Sequence, residues 1–181
     1  MAFVNYELLT QLYPSGQMEK NVRLLKDHDI FHCLLAGNTE RAAAVKKHVA
    51  GLPEDFLKWL EVCDGGLLFD TAMLTTKSRD RELNLFFDTY GNYYDLELRE
   101  GLNLSKDWFV FAVAVHSDVF FFDEGKRYEK VYQWDIEENT IYEEWDCFED
   151  WLTCQINEAL GLIANNKILP MGIKLENMGN G

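Results

Sequence analysis

The stretch from Leu52 to Phe69, Leu-Pro-Glu-Asp-Phe-Leu-Lys-Trp-Leu-Glu-Val-Cys-Asp-Gly-Gly-Leu-Leu-Phe, constrains the fold more than any other because it holds a helix start, an amphipathic run and a stop in succession. Pro53 suits the first turn of a helix, where its missing N–H costs no bond, and Glu54 and Asp55 place negative charge at the positive end of the helix dipole. Phe56, Leu57, Leu60 and Cys63 then share one face while Lys58 and Glu61 point elsewhere, so that face must be buried. Gly65 offers the left-handed conformation that ends many helices, and Gly66 lets the chain reverse close to its own backbone. Leu67, Leu68 and Phe69 read as a buried strand. The stretch predicts a helix that feeds directly into a sheet.

Downstream, the period changes from helical to two. Phe109, Phe111, Val113 and Val115 alternate with Val110, Ala112 and Ala114, all apolar, which predicts a central strand covered on both faces. Strands are also predicted at Ala72 to Thr75, Leu83 to Phe87, Val119 to Asp123, Lys130 to Asp135 and Thr140 to Trp145. Tyr90 to Glu100 fits either a short helix or a loop. Short connections between the later strands, such as Glu137-Glu-Asn, predict an antiparallel meander. Asp146 with Glu149 three residues later reads as a capping box for a last helix, whose face is Phe148, Trp151, Leu152, Ile156, Ala159, Leu160 and Ile163.

Upstream, residues 1–17 show no firm period and read as a short strand or an arm over the core, with a turn at Pro14-Ser-Gly. Met18 to Gly37 reads as a helix carrying Val22, Leu25, Leu34 and Leu35. A second helix is capped by Asn38 or Thr39 and ends at Gly51. Three helices are thus expected before the first strand. The resulting expectation is one α+β domain, with helices packed on a mainly antiparallel twisted sheet of about six strands. Its parts are an N-terminal arm and helix over 1–38, the α+β body over 39–163, and a partly flexible extension over 164–181.

Hydrophobic residues at 48% and aromatics at 14% of 181 residues supply a core of the required size. There is no apolar run of about eighteen residues and no signal-peptide pattern at the start, so a soluble cytoplasmic protein is expected. Cys33, Cys63, Cys147 and Cys154 form no Cys-x-x-Cys pair, and reduced thiols are expected.

Charge is the most unusual bulk property: 17 basic residues against 31 acidic ones give a net charge of −14. Phosphate-directed binding of nucleic acid is disfavoured. No Lys or Arg occurs from Val131 to Asn166, where Asp135, Glu137, Glu138, Glu143, Glu144, Asp146, Glu149, Asp150 and Glu158 accumulate. Such a field attracts basic partners and speeds their association. Trp134, Trp145, Trp151, Tyr132 and Tyr142 lie on the same segments, and any that stay exposed would anchor a partner. The candidate contact residues are Trp134, Asp135, Glu137, Glu138, Glu143, Glu144, Trp145 and Asp146.

The order of signals resembles the SUKH superfamily. It runs Leu52-Pro-x-x-Phe-x-x-x-Leu60 ending in Asp64-Gly-Gly, Asp118 with Phe120-Phe-Phe-Asp123, Val131-Tyr-x-Trp-Asp135, and Phe148-Glu-Asp-Trp-Leu152, over roughly residues 40 to 155. That group includes Smi/Knr-type regulators of fungal cell-wall synthesis and many bacterial immunity proteins. Asp64 stands where the family commonly has Asn, Ser117 where a Gly usually precedes the Asp, and the first 38 residues match no family pattern. The resemblance implies an α+β domain that binds another protein and has no catalytic residues and no cofactor. Its most concrete form is an immunity protein that neutralises a toxin domain, a basic nuclease among them. The alternative is a regulator or scaffold related to cell-wall glucan synthesis.

Other chemistry is weaker. His28 and His32, with Asp29 or Cys33, fall short of the three or four converging ligands that a metal site needs. His116-Ser117-Asp118 has the letters of a hydrolase triad, but neighbouring strand residues point to opposite faces. Glu143, Glu144, Asp146, Glu149 and Asp150 supply carboxylates for acid–base work or a hard cation, yet a solvated strand end and helix N-terminus account for them.

Overall fold

The chain enters its first helix at Asn5, whose side-chain oxygen accepts from the backbone N–H groups of Glu7 at 2.9 Å and Leu8 at 3.4 Å. Helix α1 (Tyr6–Leu12) buries Leu9, and α2 (Gly16–Asp27) buries Met18, Asn21, Val22 and Leu25. The computed structural model describes residues 3–28, 32–74, 100–114 and 118–165. The strand expected at Leu83 to Phe87, nearly all of the Tyr90 to Glu100 segment, and the residues beyond Asn165 lie outside that set.

The N-terminal third departs from the sequence reading. Within residues 3–17, Tyr6–Leu12 and the start of α2 at Gly16 are helical, and the extended part is a single bridge between Phe3 and Leu35. The helix expected to run from Met18 to Gly37 ends at Asp27, and His32–Ala36 is a strand, β1. The apolar positions on the two sides of residues 26–32 belong to different periods, and a run as short as Leu34-Leu35-Ala36 does not distinguish helix from strand. Helix α3 (Thr39–His48) follows, with the Asn38 side chain accepting from Glu40 and Arg41 N–H.

Helix α4 (Glu54–Val62) starts after Pro53, as its sequence dictates, and buries Phe56, Leu57, Trp59 and Leu60. It stops earlier than Gly65, because strand β2 (Cys63–Leu68) begins at once and takes both glycines into the sheet. The reason is steric. A Cβ on Gly66 would sit 2.3 Å from the Cys33 carbonyl oxygen and 2.8 Å from Leu34 Cα, and its φ is +125°. The glycine pair lets β1 and β2 lie against each other instead of ending a helix.

β3 (Thr71–Met73), β4 (Trp108–Ala114), β5 (Val119–Asp123), β6 (Val131–Asp135) and β7 (Thr140–Trp145) complete a sheet of seven strands in sequence order. Every neighbouring pair is antiparallel. The fold is α+β, with seven strands where about six were expected. β4 is fourth of the seven, central as its unbroken apolar alternation requires. Phe109 and Phe111 join the core under the helices, while Val110 joins a second cluster on the other face with Leu74, Leu104, Val119, Phe121 and Tyr132.

The last helix, α5 (Phe148–Ala164), buries Phe148, Trp151, Leu152, Ile156 and Ala159 completely. Its N-cap is Cys147, not Asp146, and no side chain caps it. Asp146 instead points to Lys130 at 3.1 Å. Phe56 lies at the centre of the helix-side core, with ring centroids of Phe109, Phe111, Phe122 and Phe148 at 5.1 to 5.8 Å. Five large rings in edge, tilted and stacked contact leave α4 and α5 one mutual packing, which fixes where the β6–β7 end of the sheet emerges.

Candidate functional site

The eight candidate contact residues all fall on the β6–β7 hairpin and the residue after it, at one edge of the sheet. Their roles differ. Asp135 forms the turn, its Oδ1 accepting from Glu138 N–H at 2.9 Å, and Asn139 takes φ +54°. Glu137 and Glu138 project from that turn into solvent. Trp134 is half-buried on the second face, edge-on to Trp108 at 5.0 Å. Trp145 is half-buried on the helix face against Phe120 at 5.9 Å. Both tryptophans pack against neighbouring rings and keep only part of their surface exposed.

The exposed apolar side chains of the hairpin lie elsewhere on β7, where Tyr142 is 53% exposed and Ile141 36%; Phe3 and Leu8 are exposed at the N-terminal end. Register separates the two faces of this strand. Glu144 pairs with Tyr132 and Ile141 with Trp134, both on the second face, while Glu143 pairs with Gln133 and Trp145 with Val131 on the helix face. A register shift between Gln133 and Trp134 gives β7 an extra residue, and the Tyr142 hydroxyl is thereby brought to the helix side. There it bonds Gln133 and lies 3.3 Å from Asp118 Oδ2, which also accepts from Gln133 Nε2 at 3.1 Å. Burial first, then the Asp118 charge and hydrogen bond, push the Tyr142 phenol up to about 12.

The two faces also differ in charge balance. On the second face Lys130 reaches Glu144 at 2.7 Å and Asp146 at 3.1 Å, and these bonds hold its ammonium above the ordinary lysine range. On the helix face, among the described residues, no ion pair engages Asp118, Glu143 or Glu158. Partial burial, then Glu143 and Asp70, raise the Glu158 carboxyl above the usual range. Sequence reasoning found the carboxylates of the hairpin, named Tyr142 as an anchor if exposed and counted Glu158 in the acidic run, but missed Ile141, Asp118 and Gln133 as parts of the same surface. The lack of any Lys or Arg between Val131 and Asn166 was the signal that pointed to Glu158.

The other candidates resolve differently. His32 Nε2 donates to the Leu25 carbonyl at 2.7 Å and the Tyr6 hydroxyl lies 3.2 Å from Nδ1, so the ring ties α1 and α2 to β1. Among the described residues no group of three His, Cys, Asp or Glu side chains is placed to hold a metal ion. His116 and Ser117 lie outside the described residues, and Asp118 is engaged by Gln133 and Tyr142. Glu143 and Glu144 point to opposite faces and so do not form a carboxylate pair. Glu149 and Asp150 lie in the first turn of α5, where the helix dipole favours their charge. Among the described residues no helix is long and apolar enough to cross a membrane.

The family model described as SMI1 / KNR4 family (SUKH-1) matches residues 40–154, from the first turn of α3 into α5. The chain belongs to the SMI1/KNR4 family. No curated protein and no solved structure matches it. The matched span of this SUKH-1 domain contains α3, α4 and β2 to β7, and leaves α1, α2 and β1 outside although they share its core. The motifs carrying the resemblance are architectural. Asp64 is buried with Arg41 at 3.6 Å, Gly66 admits Leu34, Phe120 and Phe122 fill the helix-side core, and Phe148, Trp151 and Leu152 form its floor. Val131-Tyr-x-Trp-Asp135 is β6 itself, so that motif supplies the inner strand of the hairpin, while the exposed β7 lies outside these motifs.

Proposed function

We propose that this SUKH-1 protein is a non-enzymatic protein-binding module acting in the cytoplasm, most concretely an immunity protein that covers and neutralises a bacterial toxin domain. The observation that carries this reading is the β6–β7 edge, where Asp118, Glu143 and Glu158 lack a basic partner among the described residues and Tyr142 is exposed beside them. Unbalanced carboxylates around an aromatic anchor suit a basic surface, such as the active site of a nuclease, because they steer encounter and the ring supplies desolvated contact. The net charge of −14 argues against nucleic acid itself as the ligand.

The test is protection of cells expressing a basic toxin domain, together with the affinity of the purified pair. Reversing Glu137, Glu138 and Glu143 to Lys should abolish protection and raise Kd at least about tenfold, equivalent to about 1.4 kcal/mol. Association should slow steeply with salt. A pair insensitive to both changes would reject the acidic edge as the contact. The family description also names the Smi/Knr regulators, which favours a second reading as a scaffold in cell-wall glucan synthesis. Loss of wall integrity on deletion, with no protection against any toxin, would select that reading.

A further inference from the structure

We propose that the partner docks by adding an extended segment as an eighth strand along the outer edge of β7, with basic side chains on its helix face and apolar ones on the other. This rests on the protein-binding reading above and names the form the partner takes. β7 is the last strand of the sheet, and among the described residues no strand pairs with its outer edge. Thr140 to Glu144 are all exposed, so outward N–H and C=O groups are open to another backbone. A six-residue strand spans about 20 Å, enough for a specific ladder with an added peptide.

The side chains determine which peptide. On the helix face an added strand would run past Glu143, whose charge acts on Glu158, while Asp118 lies two strands inboard behind the Tyr142 hydroxyl; none of the three is ion-paired among the described residues. On the second face Glu144 and Asp146 share Lys130, which offsets one of their two charges, and Ile141 offers an apolar contact beside Trp134. Lys or Arg at alternate positions, with Val or Leu between them, matches both faces at the period of two that a strand requires. The Tyr142 ring is held by Gln133 and Asp118 through its hydroxyl, so little ordering is lost when a strand covers it. A second copy of this chain is the wrong occupant. Edge-to-edge pairing would set Glu143 and Glu144 against their own copies in a molecule of charge −14, which protects the edge from self-association while leaving it open to a basic segment.

The test uses the full chain and a capped nine-residue peptide of alternating Lys and Val, with two controls. One control has the same composition with the lysines in one block, and the other is N-methylated at alternate amides. The alternating peptide should bind and slow hydrogen exchange at β7 amides. Blocking the lysines or methylating the amides facing β7 should weaken binding at least tenfold, and so should E143K. Binding that ignores methylation, or dimerisation of the chain through β7, overturns strand addition. If a basic toxin domain still binds in an E143K-sensitive manner while no peptide does, strand addition fails and the protein-binding reading stands. If neither binds, both fail.

Discussion

The Tyr142 hydroxyl lies 3.3 Å from Asp118 Oδ2, tying the outermost strand to the residue that precedes β5, across the whole width of β6. Gln133 on β6 bonds both groups, so the three side chains clamp the sheet edge on its helix side. Burial and the adjacent carboxylate hold the phenol at about 12 against an ordinary 10.0. A raised folded value means that the contribution of this phenol to stability is complete below pH 10 and is lost as pH rises toward 12. Y142F should therefore remove almost no phenolate absorbance up to pH 10.5, and its stability relative to the wild type should improve between pH 10 and 12. Difference titration at 295 nm and parallel thermal melts measure both. A Tyr142 that titrates with the exposed tyrosines would contradict the clamp.

Glycine substitutions should separate two kinds of backbone demand. Ala at Gly66 must occupy φ +125° with its Cβ 2.3 Å from the Cys33 carbonyl oxygen, and backbone cannot give way as a side-chain tip can. G66A is expected to cost about 3 kcal/mol or more and to drop the melting temperature sharply. Gly161 lies inside α5 with nothing within 4 Å of the methyl that alanine would add, so G161A should stabilise the chain by about 0.5–1 kcal/mol. Urea melts of the two variants should move in opposite directions.

Phe56 is the side chain on which α4, α5, β4 and β5 converge, through Phe148, Phe109, Phe111 and Phe122. Truncation leaves a cavity that these four elements cannot collapse together, so F56A should cost about 3–5 kcal/mol, while F56L keeps most of the volume and should cost about half as much. Chemical denaturation measures the pair. Equal losses would mean that edge-to-face ring contacts, rather than volume, set the packing.

What the sequence revealed follows the strength of its periods. α4, α5 and β4 to β6 were legible because one face, or every position, had to be buried, and the exposed β7 was legible from the short turn that follows β6. β1 was not, since Leu34 and Leu35 follow a helix whose apolar set stops at Leu25, and only pairing with β2 makes them extended. Gly65 and Gly66 read equally well as a helix stop and as a close approach between strands. At the site, charge was legible from composition, but exposure was not. Trp134 and Trp145 are partly covered because their partners Val131, Phe120 and Trp108 come from other strands, and Tyr142 faces the helix side only because of a register shift that no local pattern encodes.

Glu158 offers the most direct check on the helix-face charge. Partial burial, then Glu143 and Asp70, raise its carboxyl above the ordinary 4.5. For such a group the favourable contribution is complete below pH 4.5 and disappears as pH rises through the raised value, where an ill-placed charge must form. E158Q should thus be more stable than the wild type at pH 7, and the difference should vanish below about pH 4.5, as thermal melts across pH would show. The side chain is exposed, so the gain is small and shrinks in high salt. A basic strand bound alongside would reverse the sign of that local field and draw the carboxyl back down. Binding just above pH 4.5 should then release protons, which calorimetry in buffers of different ionisation enthalpy detects, and E158Q should reduce that release. Proton release unchanged in E158Q would place the bound cation elsewhere.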